Sequence, residues 1–113
     1  MAERYRSYEE FWPFYVAQHL HAVNRALHFA GTTLVLACLA LAALRDPLFV
    51  AAAPFAGYSF AWVGHFFFEK NKPATFTHPL WSLRGDFRMY RLLLLRRMRP
   101  ELERATRLFP AGA

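Results

Sequence analysis

ALHFAGTTLVLACLALAALRDPLFVAAAPFAGYSFAWVGHFFF, residues 26–68, is the stretch that decides what kind of protein this is. From Ala26 to Leu44 the only side chains that titrate near neutral pH are His28 and Cys38; from Pro47 to Phe68 there is only His65. Each block is close to the roughly 20 residues a helix needs to cross the hydrocarbon core of a bilayer. Arg45-Asp46-Pro47 is a polar break of the kind that separates two such helices. Pro54 and Gly57 would weaken a soluble helix, but membrane helices tolerate them. The expected fold is therefore all-α: a small helical membrane protein with a two-span central hairpin, its spans at 26–44 and 47–68. A buried hairpin inside a soluble helical bundle is the other reading of the same hydropathy. A signal peptide is not expected, because the first block starts late and a second follows it.

Outside the hairpin the chain is short, and its 113 residues read as a single domain, 1–113. A composition that is 56% hydrophobic and 18% aromatic excludes disorder. The single cysteine, Cys38, excludes an internal disulfide and a multi-cysteine zinc site, and reads as a small apolar residue within the first span. Of the 14 basic residues, Arg4, Arg6 and Arg25 precede the first block, Arg45 lies between the blocks, and the rest follow Phe68. The positive-inside rule then places both termini in the cytoplasm. Residues 84–99 read as a basic amphipathic C-terminal helix, with Arg84, Arg88, Arg91 and Arg99 towards one face and Phe87, Tyr90, Leu94 and Met98 on another. Beside membrane spans, such a helix suits anionic headgroups. No nucleic-acid motif accompanies the charge, so no nucleic-acid partner is expected. Ser7-Tyr8-Glu9-Glu10 matches a capping box, which starts an N-terminal helix at Tyr8. Phe11, Trp12, Phe14 and Tyr15 then form an aromatic patch suited to a membrane interface. The terminal Ala111-Gly112-Ala113 is expected to fray.

The chemistry-bearing residues sit at the block boundaries. Asn24 and His28 are four apart and share a helix face, as do His65 and Glu69. Two antiparallel spans bring both pairs to one depth. His19 lies nearly opposite His28 on a continuous helix, whereas His21 shares the face of Asn24 and His28. Either His21 is the partner, or the chain bends between Gln18 and Val23 and returns His19 to the site. Imidazoles with a carboxylate suit Fe(II), Zn or Mn, and ionisable groups at membrane depth face a cavity, a partner or a metal. No Gly-rich phosphate loop and no nucleophile elbow is present.

HLHAVNRALHFAGT, residues 19–32, resembles the first signature of the Mpo1-like family, and GHFFFEKNKPA, residues 64–74, resembles its second. The continuation TFTHPLWSLRGDF, residues 75–87, is similar to the short bacterial branch. This resemblance implies an Fe(2+)-dependent dioxygenase of fatty-acid α-oxidation, with a 2-hydroxy fatty acid and O2 as its substrates. The acid would leave one carbon shorter, its carboxyl carbon released as CO2. Carried over residue by residue, the implied metal ligands and catalytic residues are His19, His28, His65 and Glu69, and Asn24 belongs to the same signature. The choice of His19 requires the bend, at a place where family members commonly have Asn-Pro and this chain has His21-Ala22. His78 is at a position that is not histidine in the fungal type. Arg25, at the membrane boundary, is a candidate anchor for the substrate carboxylate and Asn24 a candidate substrate contact. The expected setting is the bacterial inner membrane. Two spans leave little wall for a hydrophobic tunnel, so a homo-oligomer is expected. Two other readings compete: a non-catalytic lipid-binding or structural membrane protein, and a zinc-dependent lipid enzyme using the same ligands.

Overall fold

A computed structural model describes residues 5–110, so the C-terminal Ala111-Gly112-Ala113 lies outside the described residues. Those residues are mostly helical, with no strand among them. Helix α1 (Tyr8–Ala17) begins where the capping box places it: Ser7 is extended, and its hydroxyl accepts the Glu10 N–H at 3.1 Å. Glu9 and Glu10 add negative charge to the first turn, which the helix dipole favours. Helix α2 spans Ala22–Leu44 and helix α3 Phe49–Val63, joined by the turn around Asp46, whose carboxylate accepts the Leu48 N–H. Helix α3 runs on without a break into a π-helical segment, Gly64–Glu69.

Helices α2 and α3 pack antiparallel, with small residues at their crossing. A Cβ on Gly31 would stand 3.0 Å from the Phe60 Cβ and 3.4 Å from the Gly57 carbonyl. Close approach of two backbones through small residues is how helices associate in lipid. By length and composition, α2 is the one helix among the described residues able to cross a membrane. The second apolar block forms only 15 α-helical residues before the winding widens at Gly64, so this structure gives one candidate span where the sequence suggests two.

The apolar side chains of this hairpin are not the core. Leu36, Leu39, Leu41, Leu44, Phe49, Val50, Phe55, Phe67 and others on α2, α3 and the π segment are exposed. The core instead lies between α1 and two later helices, α4 (Pro79–Leu94) and α5 (Arg99–Leu108): Phe11, Trp12, Tyr15 and Val16 pack with Met89, Met98 and Ala105. The aromatic patch of α1 is thus internal, with the Trp12 Nε1 donating to Glu101 at 2.6 Å.

The C-terminal region is two helices rather than one running from 84 to 99. Pro79 opens α4 in its first turn, where its missing N–H removes nothing. The helix closes after Leu94 because Arg96 turns left-handed (φ 57°), and the N–H groups of Arg96 and Arg97 bond back to the carbonyls of Leu93 and Leu92. Those two bonds make a Schellman end with arginine where glycine is usual.

Candidate metal centre

Helix α1 ends at Ala17 and α2 starts at Ala22, so the chain does bend between Gln18 and Val23. The bend needs no proline because several groups satisfy the freed backbone. His21 caps α2, its Nδ1 accepting the Val23 N–H at 3.1 Å. Arg25 Nη1 donates to the carbonyls of His19 and Leu20 at 2.9 and 2.7 Å. Glu69 accepts the His21 N–H at 2.5 Å and an Asn24 amide hydrogen at 3.3 Å.

The bend carries His19 inward, onto His28 of α2 and His65 of the π segment. Their rings meet pairwise edge-on, with centroids 4.5, 4.6 and 4.9 Å apart. One nitrogen from each of the three lies within 4.8 Å of the others, and all three residues are buried. Asn24 packs directly under the crossing. An alanine Cβ at Gly64 would fall 1.9 Å from the Asn24 Oδ1, so only glycine lets the π segment approach α2 here.

Each imidazole is held by its Nδ1. His19 faces the Tyr15 carbonyl at 2.6 Å, His28 the Asn24 carbonyl at 2.9 Å, and His65 the Asn71 Oδ1 at 2.7 Å. The Asn71 amide is oriented by donating its Nδ2 to the Gln18 carbonyl. All three partners can only accept, so each Nδ1 carries the proton and each Nε2 presents a lone pair. The His19 and His28 Nε2 atoms are 3.2 Å apart with no proton between them. Two facing lone pairs repel unless a cation lies between them. Their separation falls between the edges of an octahedron and a tetrahedron of ligands about 2.1 Å from one ion, about 3.0 and about 3.4 Å. Donation of the second ring nitrogen to a carbonyl is also the arrangement of metal-bound histidines generally. The donor set therefore fits a divalent metal. Burial, with the neighbouring imidazoles, holds the His19 pKa well below its usual value, which keeps the ring neutral and able to coordinate.

Of the expected site residues, His19, His28 and His65 come together, and Glu69 does not join them. Its carboxylate is engaged by the His21 N–H and Asn24 at the start of α2. Asn24 supports the triad from beneath, through its carbonyl and its packing on Gly64. Arg25 is committed to the bend. His21 serves as a helix cap, and His78 stacks on Trp81 at the start of α4, so neither joins the cluster.

The triad opens onto a cavity of about 390 Å³, within the usual range of ligand pockets. Its walls are largely apolar, with Val35 and Leu39 from α2 and Val50, Ala53 and Ala61 from α3. Tyr15, Ser82 and Asp86 add polar groups. In the sequence Tyr15 reads only as part of the interfacial aromatic patch, and Ser82, Asp86 and Asn71 carry no assigned role. Asn71 lies within the second signature, and Ser82 and Asp86 within the segment 75–87, and those positions were the available signal.

The sequence profile of the Mpo1-like family, described as 2-hydroxy-palmitic acid dioxygenase, matches residues 5–98. The chain belongs to the Mpo1-like family. Comparison with curated proteins and with solved structures gives no match. The matched region of this Mpo1-like chain contains all three histidines, Asn24, Asn71 and the cavity-lining part of α4.

Proposed function

We propose that this chain is a membrane-embedded, Fe(II)-dependent dioxygenase that takes a 2-hydroxy fatty acid and O2 and yields CO2, water and the fatty acid one carbon shorter. The observation that carries the reading is the convergence of three buried Nε2 lone pairs, each fixed by an Nδ1–H bond, at one end of an apolar cavity. The family description supplies the substrate class.

His19, His28 and His65 would hold the iron. When bound, it supplies the one-electron chemistry through which O2 reacts with a closed-shell acid. The residues themselves do the rest. Tyr15, Asn24 and Asn71 hold the imidazoles in one tautomer and orientation, so no reorganisation accompanies binding. His28, Thr32, Val35 and Leu39 form one cavity-lining face of α2. That face runs about 16 Å from the triad at about 1.5 Å per residue. An extended alkyl chain with tetrahedral carbons advances about 1.25 Å per carbon, so about 13 carbons lie along it. An acyl tail placed there keeps its polar head at the histidines and excludes water from them.

The same reading places the α2–α3 hairpin in the bilayer, with both termini on the cytoplasmic side. What supports it is an apolar α2 of sufficient length and the exposed Leu, Val and Phe side chains along both helices. Contiguous apolar surface of this kind needs lipid or a partner to cover it.

The test is incubation of the purified protein with 2-hydroxypalmitate, Fe(II) and O2, followed by mass analysis for the C15 acid. The proposal predicts that product from the unaltered chain and none from His65→Ala. If the unaltered chain forms no shortened acid, the proposal fails. Metal analysis after anaerobic purification separates the alternatives: iron favours the dioxygenase, zinc a different lipid enzyme, and no metal a binding or structural role.

A further inference from the structure

The cavity that holds the triad has a carboxyl on its wall, and that carboxyl is Asp86 rather than Glu69. Asp86 sits on α4, and its Oδ1 accepts the Tyr15 hydroxyl. No lysine or arginine among the described residues pairs with it. A carboxylate held away from water without a cation is unfavourable, and burial pushes Asp86 up to about 7. A buried carboxyl that faces a cavity with a hydroxyl but no cation beside it is a candidate functional group.

Tyr15 is the link between Asp86 and the metal centre. Its ring stacks on His19 with centroids 4.2 Å apart and planes at 28°, and on Trp12 at 5.4 Å and 14°. Its backbone carbonyl takes the His19 Nδ1 proton. Gly85, beside Asp86, lets α4 lie against the same ring, because a Cβ there would stand 3.1 Å from two ring carbons. Tyr15 is therefore fixed on several sides, and Asp86 stands one stacked ring away from His19. It is not among the residues whose atoms converge as ligands.

We propose that Asp86, held by Tyr15, is the anionic counter-charge of the metal centre: a positioning residue outside the ligand set that fixes Tyr15 against His19 and offsets the charge of a divalent ion on three neutral imidazoles. The inference rests on the metal-centre reading above. It gives Glu69 a different task, that of closing the bend between α1 and α2. Salt screens an attraction between buried charges only weakly, and outer partners of metal ligands commonly contribute 10- to 100-fold in affinity.

The experiment is anaerobic titration of the full detergent-solubilised chain with Co(II) against a competing chelator, read by the visible absorption of the bound ion. Asp86→Asn keeps an acceptor for the Tyr15 hydroxyl and removes the charge, and Glu103→Gln, at an exposed carboxyl on α5, is the comparison. The expected result is at least about 10-fold weaker Co(II) binding in Asp86→Asn. The metal-free variant should unfold no more easily than the unaltered chain, and Glu103→Gln should keep the unaltered affinity. Unaltered affinity in Asp86→Asn overturns the role of Asp86 and leaves the metal centre standing. Equal weakening in both variants, or weakening that merely follows lost metal-free stability, also overturns it. Failure of the unaltered chain to take up Co(II) overturns the metal centre and this inference together.

Discussion

Replacing Gly64 with alanine tests the joint on which the centre is built. The new Cβ would stand 1.9 Å from the Asn24 Oδ1, 2.9 Å from its Cγ and 3.2 Å from its Cα. Rotating the Asn24 side chain relieves the first two contacts but not the third, which involves backbone. Asn24 is fully buried, so its amide has no solvent to turn into. Moving it breaks the bonds to the Gln18 carbonyl and to Glu69, at about 1 kcal/mol each or more if the groups stay dry. Overpacking adds about 1–3 kcal/mol. The sum, about 3–5 kcal/mol, is a large part of the 5–15 kcal/mol that holds a typical domain together. The displacement also separates His28, held by the Asn24 carbonyl, from His65, which follows Gly64. Gly57→Ala is the control, since its Cβ meets only the Val35 Cγ2, at 3.1 Å. Denaturant unfolding in mild detergent, followed by tryptophan fluorescence, measures both variants. If Gly64→Ala is as stable as Gly57→Ala, the close crossing of α2 and the π segment is not what the protein contains.

Other outcomes follow from the same geometry. Arg25→Ala releases the carbonyls of His19 and Leu20 and is expected to lose about 1.5–3 kcal/mol, seen as a lower denaturation midpoint, with weaker metal binding because His19 is no longer returned to the site. Asp86→Asn is expected to stabilise the metal-free protein in a pH-dependent way. The raised pKa makes the ionised form costly in the fold, so the gain is absent near pH 4, grows to about pH 7, and then levels at no more than about 4 kcal/mol. A gain that does not change with pH would show that Asp86 is not carrying charge. In that Asp86→Asn background the depressed His19 is expected to act with the opposite sign: unfolding free energy, measured from pH 7.5 downwards, falls as pH drops through about 6.5, because the unfolded imidazole takes a proton that the folded one refuses. Flotation with anionic vesicles tests the hairpin's setting; the chain is expected to stay with the lipid after a high-salt or alkaline wash, and its release would place the exposed apolar faces against a protein instead.

Much of this was legible in the residues, and what was not has physical causes. The Ser7 cap and the antiparallel pairing of the two apolar blocks follow from local signals, and so does the depth shared by Asn24, His28 and His65. The break after Ala17 is only partly local: His21 and Arg25 hold it from nearby, but Glu69 lies 48 residues from the N–H it accepts, and no periodicity in residues 8–28 encodes that partner. For the same reason Glu69 reads as a ligand by its spacing from His65, yet the widened π turn directs it to the bend. The end of α4 is hidden because Arg96 takes the left-handed position that glycine would have announced. The aromatic run of α1 has no side in the sequence; only the arrival of α4 and α5 makes Phe11, Trp12 and Tyr15 internal. Asp86 sits in a stretch dense with basic residues, where a carboxylate reads as solvated, and its isolation depends on Tyr15 from a distant helix.

At the centre of the proposal stands one metal site made by three neutral imidazoles with inward Nε2 lone pairs. Metal analysis of protein purified and reconstituted anaerobically with Fe(II) tests it most directly, comparing the unaltered chain with His19→Ala, His28→Ala and His65→Ala. The expected result is one iron per chain in the first and its loss in each variant, with the variants still helical by circular dichroism. An unaltered chain that holds no iron, or folded variants that hold as much as it does, would contradict it.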